Sequence, residues 1–139
     1  MSIVKSKDLF MGEKDYQQLH LIRKFLSKKF DVRINSCQTI RTADKIALST
    51  RNKLLNKKSL EKASHITKLL IKIKKHKLQS SKFKLDLSDY KIELEKKFNI
   101  KVDYLEFRDE KNLKLNNLKD KFRLFVAYNI NKIRLIDNF

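Results

Sequence analysis

One stretch combines residue types suited to holding an anion: Gly-Glu-Lys-Asp at 12–15, running directly into Tyr-Gln-Gln-Leu at 16–19. A glycine between a strand end and a helix start lets the backbone approach a phosphate. The first N–H groups of the helix and the Lys14 ammonium then add positive charge. The same residues admit a purely structural account, a tight turn in which Asp15 caps the helix and Gln18 closes a capping box three residues later. Gly12 is the only glycine in 139 residues, and there is no proline.

The other reactive side chains are sparse. A single cysteine, Cys37, excludes an intrachain disulfide and a multi-cysteine zinc site, and nothing near it in sequence would activate it as a nucleophile. His20, His65 and His76 are far apart, which gives none of them an obvious second metal ligand, so no metal site is expected. The lysine-rich run at 71–84 reads as a solvated helix end and loop. Tyr104, Phe107, Phe122 and Phe125 lie on strand-like segments, where core packing is the expected role.

The elements that must carry these residues are legible from periodicity. Residues 3–11 read as a short buried strand. Asp15 to about Phe30 follow helical spacing through Leu19, Ile22 and Leu26, and 32–37 alternate as a second strand. Strand, helix, strand is one unit of a parallel sheet. After a loop at 41–52, Leu60, Ala63, Ile66, Leu70 and Ile73 mark an amphipathic helix, and Leu87, Ile92, Leu94 and Phe98 a second one over 86–98. Three strands are expected at 101–108, 121–128 and 133–137, joined by the linker 109–120 and a turn at 129–132 in which Asn131 can take the left-handed conformation. The expected fold is α/β: part of a Rossmann-like domain over 1–51, then a small α+β domain over 53–139 with two helices and a three-stranded antiparallel sheet.

Composition narrows the function classes. Hydrophobic residues make up 41% of the chain, enough for a core. The formal net charge of +18 invites a nucleic-acid partner. Yet lysine supplies 27 of the 34 basic residues and is scattered along the whole chain, whereas arginine, whose fork suits phosphate and base recognition, is scarce. The charge is therefore read as compositional drift, with a basic nucleic-acid-binding or scaffold module kept as the alternative. The N-terminal residues lack a long apolar run, and no segment approaches the roughly 18 apolar residues of a membrane span, so a cytoplasmic chain without membrane association is expected.

Three segments in order, GEKDYQQLHLIRK (12–24), IRTADKIALSTRN (40–52) and VDYLEFRD with FRLFVAYNINKIRLIDN (102–109 and 122–138), resemble the pantoate beta-alanine ligase family over nearly the whole chain. That resemblance implies ATP-dependent condensation of D-pantoate with beta-alanine through pantoyl adenylate, releasing AMP and pyrophosphate, with Mg²⁺ bound to the nucleotide. Carried over by position, it implies that Gly12, Glu13, Lys14 and Asp15 line the ATP site and that Gln18 holds pantoate. It further implies that Leu48, Ser49, Thr50 and Arg51 form a phosphate-binding loop, with Arg51 facing the leaving pyrophosphate, and that Ile40 contacts the nucleotide through its backbone. Lys14, Ser49 and Arg51 are the implied catalytic residues.

The departures from the family pattern are equally specific. A family glycine is Lys45 here, a Val-Gly-Val-Pro run has become Asn35 to Thr39, and a Gly-Gly turn is Asn131-Lys132. The His-x-Gly-His motif with which the family begins its adenylation site does not occur in this sequence, whose one glycine is Gly12. The resemblance thus implies the C-terminal half of the family protein, inactive by itself, with a separate N-terminal half and a second copy of the chain as the implied protein partners.

Overall fold

The computed structural model describes residues 6–79, 86–115 and 121–139. Two compact units divide the chain, Met1–Ile40 and Arg41–Phe139.

In the first unit, strand β1 (Asp8–Gly12) pairs in parallel with β2 (Arg33–Cys37), and helix α1 (Tyr16–Lys29) makes the crossover. Residues 3–5 of the expected first strand lie outside the described residues. The apolar spacing of α1 works as expected at one position above all: Leu19 is fully buried and Tyr16 nearly so, while Leu21 and Phe25 face solvent. The helix stops where the Phe30 N–H donates to Leu26 O at 2.9 Å and the chain turns extended.

The second unit is built on helix α2 (Lys57–Gln79), helix α3 (Leu87–Phe98) and an antiparallel sheet in the order β3 (Lys101–Asp109), β4 (Phe122–Ile130), β5 (Ile133–Asn138). Asn56 opens α2 by accepting the Ser59 N–H on its side chain at 2.9 Å. Ala63, Ile66, Leu70 and Ile73 then recur at helical spacing and are buried to 2% exposure or less. Each of the larger side chains contributes roughly 1.5–3 kcal/mol by leaving water. Asp86 caps α3 through the Ser88 N–H, and Asn99 ends it in the left-handed conformation with φ 45°.

Register assigns the faces of the sheet. Val126 lies opposite Asp137 and Tyr128 opposite Leu135, so Leu124, Val126, Tyr128 and Ile130 share a face with Ile133, Leu135 and Asp137. That face carries the core. A register shift between Val102 and Tyr104 leaves Asp103 on an irregularity, where it accepts hydrogen bonds from Asn129 and Arg134 at 2.9 and 2.7 Å. β4 and β5 are joined by two residues, Asn131 and Lys132, with φ 49° and 67°, the signs of a type I′ hairpin turn. Of the expected linker, residues 116–120 lie outside the described residues, as do 80–84 of the lysine-rich run.

Residues 41–52 group with the second unit because their anchors are there: Arg41 pairs with Asp137, Ser64 Oγ donates to Asp44 O at 3.0 Å, Arg51 donates to Arg134 O, and Ile46 enters the core cluster.

Candidate functional site

In the first unit, β1 ends at Gly12, beside Cys37 of β2 in the parallel register. Glu13–Asp15 form one 3-10 turn, and α1 begins at Tyr16, seated by its own buried ring. Gly12 adopts an ordinary extended conformation, φ −70° and ψ 134°, which any residue could take. A Cβ added there would meet no atom within 4 Å, so the glycine leaves open space next to the turn. The capping-box account of this turn fails: Asp15 makes no side-chain cap hydrogen bond, and Gln18 is exposed on the helix. Glu13, Lys14 and Asp15 are half-buried around the turn, and Ile40, at the end of this unit, is 71% exposed.

In the second unit, residues 41–47 close a small loop on themselves. Thr42 N–H donates to Ile46 O at 2.9 Å, Lys45 N–H donates to Thr42 O at 2.9 Å, and Ile46 N–H reaches Thr42 Oγ1 at 3.2 Å. The backbones of Arg41 and Ala47 form an isolated antiparallel bridge. The turn requires a left-handed residue at Lys45, φ 70°, where a side chain is strained and a glycine is not.

Leu48 to Arg51 follow at once. Leu48, Thr50 and Arg51 are exposed and Ser49 is half-buried. The Ser49 hydroxyl donates to Asn52 Oδ1 at 2.8 Å, and Asn52 Nδ2 donates to Ala47 O at 3.0 Å, so one amide side chain braces the segment from behind. The backbone then enters a 3-10 turn, Thr50–Leu54. Arg51 Nη1 donates to Arg134 O of β5 at 3.0 Å, which restrains the side chain while its guanidinium stays on the surface. The Thr50 hydroxyl and the Arg51 guanidinium, on adjacent exposed residues, suit an anion with several oxygens.

Arg41, Asn52 and Asp137 are structural partners of this segment to which sequence reasoning gave no role. One signal for Asp137 was present: position 137 continues the core-facing alternation of Ile133 and Leu135, and a carboxylate there must find a cation. Its residue is buried, and Arg41 is that cation. Among the described residues there is no group of three or more His, Cys, Asp or Glu side chains that could hold a metal ion, and no helix long and apolar enough to cross a membrane.

The family model described as pantoate-beta-alanine ligase matches residues 1–139. The chain belongs to this family. It is 34% identical to the pantothenate synthetase of Flavobacterium psychrophilum over 98% of its own length and 49% of that protein's. With the pantothenate synthetase of Mycolicibacterium smegmatis it shares 36% identity over 99% of its length and 43% of the relative's. Among solved structures, pantothenate synthetase from Thermus thermophilus matches with a TM-score of 0.79 and 27% identity, covering 96% of this chain and 49% of that one. Pantoate-beta-alanine ligase from Francisella tularensis, complexed with beta-gamma ATP and beta-alanine, matches with a TM-score of 0.71 and 32% identity, covering 99% and 45%. The chain spans about half the length of the curated relatives it matches. The expected α/β fold, with its strand-helix-strand unit and its two helices on a three-stranded antiparallel sheet, is the one observed.

Proposed function

We propose that this chain carries the nucleotide-handling part of a pantothenate synthetase, an ATP-dependent ligase that activates D-pantoate as an adenylate and passes it to beta-alanine. The observation that carries the reading is the family match over all of residues 1–139, extending to a relative solved with an ATP compound and beta-alanine. Activation of the carboxylate piles negative charge on the α-phosphate and then on the departing pyrophosphate. Fixed cations and hydrogen-bond donors lower that barrier.

Each unit supplies its own part. In the first, the open space at Gly12 admits a nucleotide next to the turn, with Glu13, Lys14 and Asp15 around it, the Lys14 ammonium as the principal charge, and the backbone of Ile40 as a further nucleotide contact. Gln18, exposed on the first turn of α1, offers both an amide donor and an acceptor to pantoate. In the second unit, Leu48, Ser49, Thr50 and Arg51 receive the phosphates, with Arg51 neutralising the pyrophosphate. Mg²⁺ arrives bound to ATP and needs no protein cluster. The family's histidine-bearing segment is supplied by sequence this chain does not span; a homodimer and a cytoplasmic location complete the reading.

The test is an assay of pantothenate and AMP formation with ATP, Mg²⁺, D-pantoate and beta-alanine. The chain alone should be inactive, and the N-terminal half of a relative such as the Flavobacterium psychrophilum protein, added in trans, should bring activity that Lys14→Ala or Arg51→Ala abolishes. Robust turnover by the chain alone would refute the division of labour. ATP that perturbs neither Lys14 nor Ser49–Arg51 amides, with or without the added half, would refute the nucleotide reading itself.

A further inference from the structure

The residues assigned to the phosphates, 48–51, follow a loop that contains one isolated backbone bridge and no regular strand. A loop this irregular needs another restraint to hold one shape, because each unpinned residue recovers conformational entropy. Beside the buried Ile46 and the Ser64–Asp44 hydrogen bond, one guanidinium makes the largest set of these restraints. Arg41 Nη1 donates to Asp137 Oδ2 at 2.7 Å and Nη2 to Asp137 Oδ1 at 2.9 Å, a two-pronged ion pair. Nη2 also donates to Asn138 O at 3.1 Å, and Nη1 to Lys45 O at 3.0 Å. The guanidinium carbon lies 4.6 Å from the centre of the Phe139 ring.

One planar group therefore grips the last strand of the sheet with one side and the carbonyl of the strained Lys45 with the other. Its own backbone pairs with Ala47, the residue before Leu48. The Asp137 side chain is only 7% exposed and that of Arg41 21%, so the pair sits at the edge of the core, not on a solvated surface. A lysine at 41 would keep the charge and lose the fork, since an ammonium cannot meet two carboxylate oxygens and two carbonyls in one plane.

We infer that Arg41 is a positioning residue for the phosphate-handling segment 48–51, acting through the turn 42–47 and not by touching the ligand. This rests on the nucleotide reading above. Its charge is spent on Asp137, so it adds little net attraction for an anion; Arg51, on the surface, is the contacting cation. Arg41, ahead of the segment, is thus a brace, and Arg51, within it, a contact.

The experiment uses the whole 139-residue chain in four forms besides the parent: Arg41→Gln, Arg41→Lys, Arg51→Gln, and the double variant Arg41→Gln with Asp137→Asn, which leaves no unpaired buried charge if the first fails to fold. Amide exchange is followed at Thr42, Lys45 and Ile46 and along the β3–β4 ladder, and binding of inorganic pyrophosphate is titrated. The expected result is at least a tenfold rise in exchange at the three loop amides in every Arg41 variant, the ladder unchanged, with pyrophosphate affinity down about tenfold. Arg51→Gln should lose similar affinity with no change in loop exchange. Unchanged loop exchange in the Arg41 variants, an equal rise throughout the ladder, or loosened loop amides with undiminished pyrophosphate affinity would each overturn the inference. Should the parent bind no pyrophosphate, alone or with the N-terminal half of a relative added, while the Arg41 variants still loosen only the loop, the nucleotide reading fails and the brace stands.

Discussion

Replacing Lys132 by glycine should stabilise the second unit. Lys132 holds φ at 67° as the second residue of the two-residue turn between β4 and β5. A side chain in the left-handed region costs roughly 1–2 kcal/mol, whereas glycine occupies it freely. Against this gain stands the larger freedom of glycine in the unfolded chain, worth about 0.4–1 kcal/mol. The difference is a net stabilisation of about 0.5–1 kcal/mol. The native turn needs nothing from the Lys132 side chain, which is exposed. Its neighbour is different: Asn131 Nδ2 donates to the buried Ser59 Oγ at 3.0 Å and ties the hairpin to the start of α2. Urea unfolding should give a higher midpoint for Lys132→Gly at unchanged slope, and thermal melting a rise of about 2–5 °C. Lys132→Ala separates backbone relief from removal of a charge, because alanine keeps the Cβ that causes the strain. If Lys132→Ala stabilises as much as Lys132→Gly, or if the glycine variant is destabilised, the strain argument is wrong.

Lys45→Gly should gain a similar ~0.5–1 kcal/mol, since Lys45 sits at φ 70° with its backbone already committed to Thr42 and Arg41; a fall in the urea midpoint would contradict this. Ile66→Ala should cost about 2–5 kcal/mol in the same unfolding assay, because Ile66 is fully buried in the α2 contact with the sheet and truncation leaves a cavity. Tyr128 is held well above the ordinary tyrosine value near 10, first by burial and then by the Asp137 carboxylate. Its folded value is the raised one, so its stabilising contribution is complete below the unfolded value near 10 and is lost progressively as pH rises beyond it. The ultraviolet titration difference between the parent and Tyr128→Phe, which isolates one of four tyrosines, should show that phenolate appearing together with unfolding; its ionisation near pH 10 in a chain with native circular dichroism would contradict the burial argument.

Much of the fold was legible in the sequence because the second unit is amphipathic in the plain sense. The spacing of Ala63, Ile66, Leu70 and Ile73 allows one buried helical face, and the apolar runs at 101–108, 121–128 and 133–137 are bounded by residues that tolerate turns. Element ends moved by a residue or two, as capping geometry decided. The helix expected from Asp15 begins at Tyr16 because Glu13–Asp15 tighten into a 3-10 turn and the Asp15 side chain does not cap. The anion site proposed at Gly12 and Lys14 rests on residue types, and the role proposed for 48–51 on the resemblance carried by GEKDYQQL, ALSTRN and RLIDN.

The sequence by itself determined which residues are apolar and at what period, and hence the helices, the strands and the lone glycine between β1 and α1. It also displayed a charged residue, Asp137, at a core-facing period of an apolar strand, a local inconsistency that needed an external partner. Only the tertiary structure decided what that partner is. Arg41 and Asp137 are 96 residues apart, and no local propensity connects them. Folding brings them together because β5 lies beside the buried central strand and Ile46 pins the 41–47 loop into the same core, after which a buried carboxylate and a forked cation satisfy each other. The same event assigns residues 41–52 to the second unit, a boundary set by long-range contacts and therefore invisible to any window along the chain.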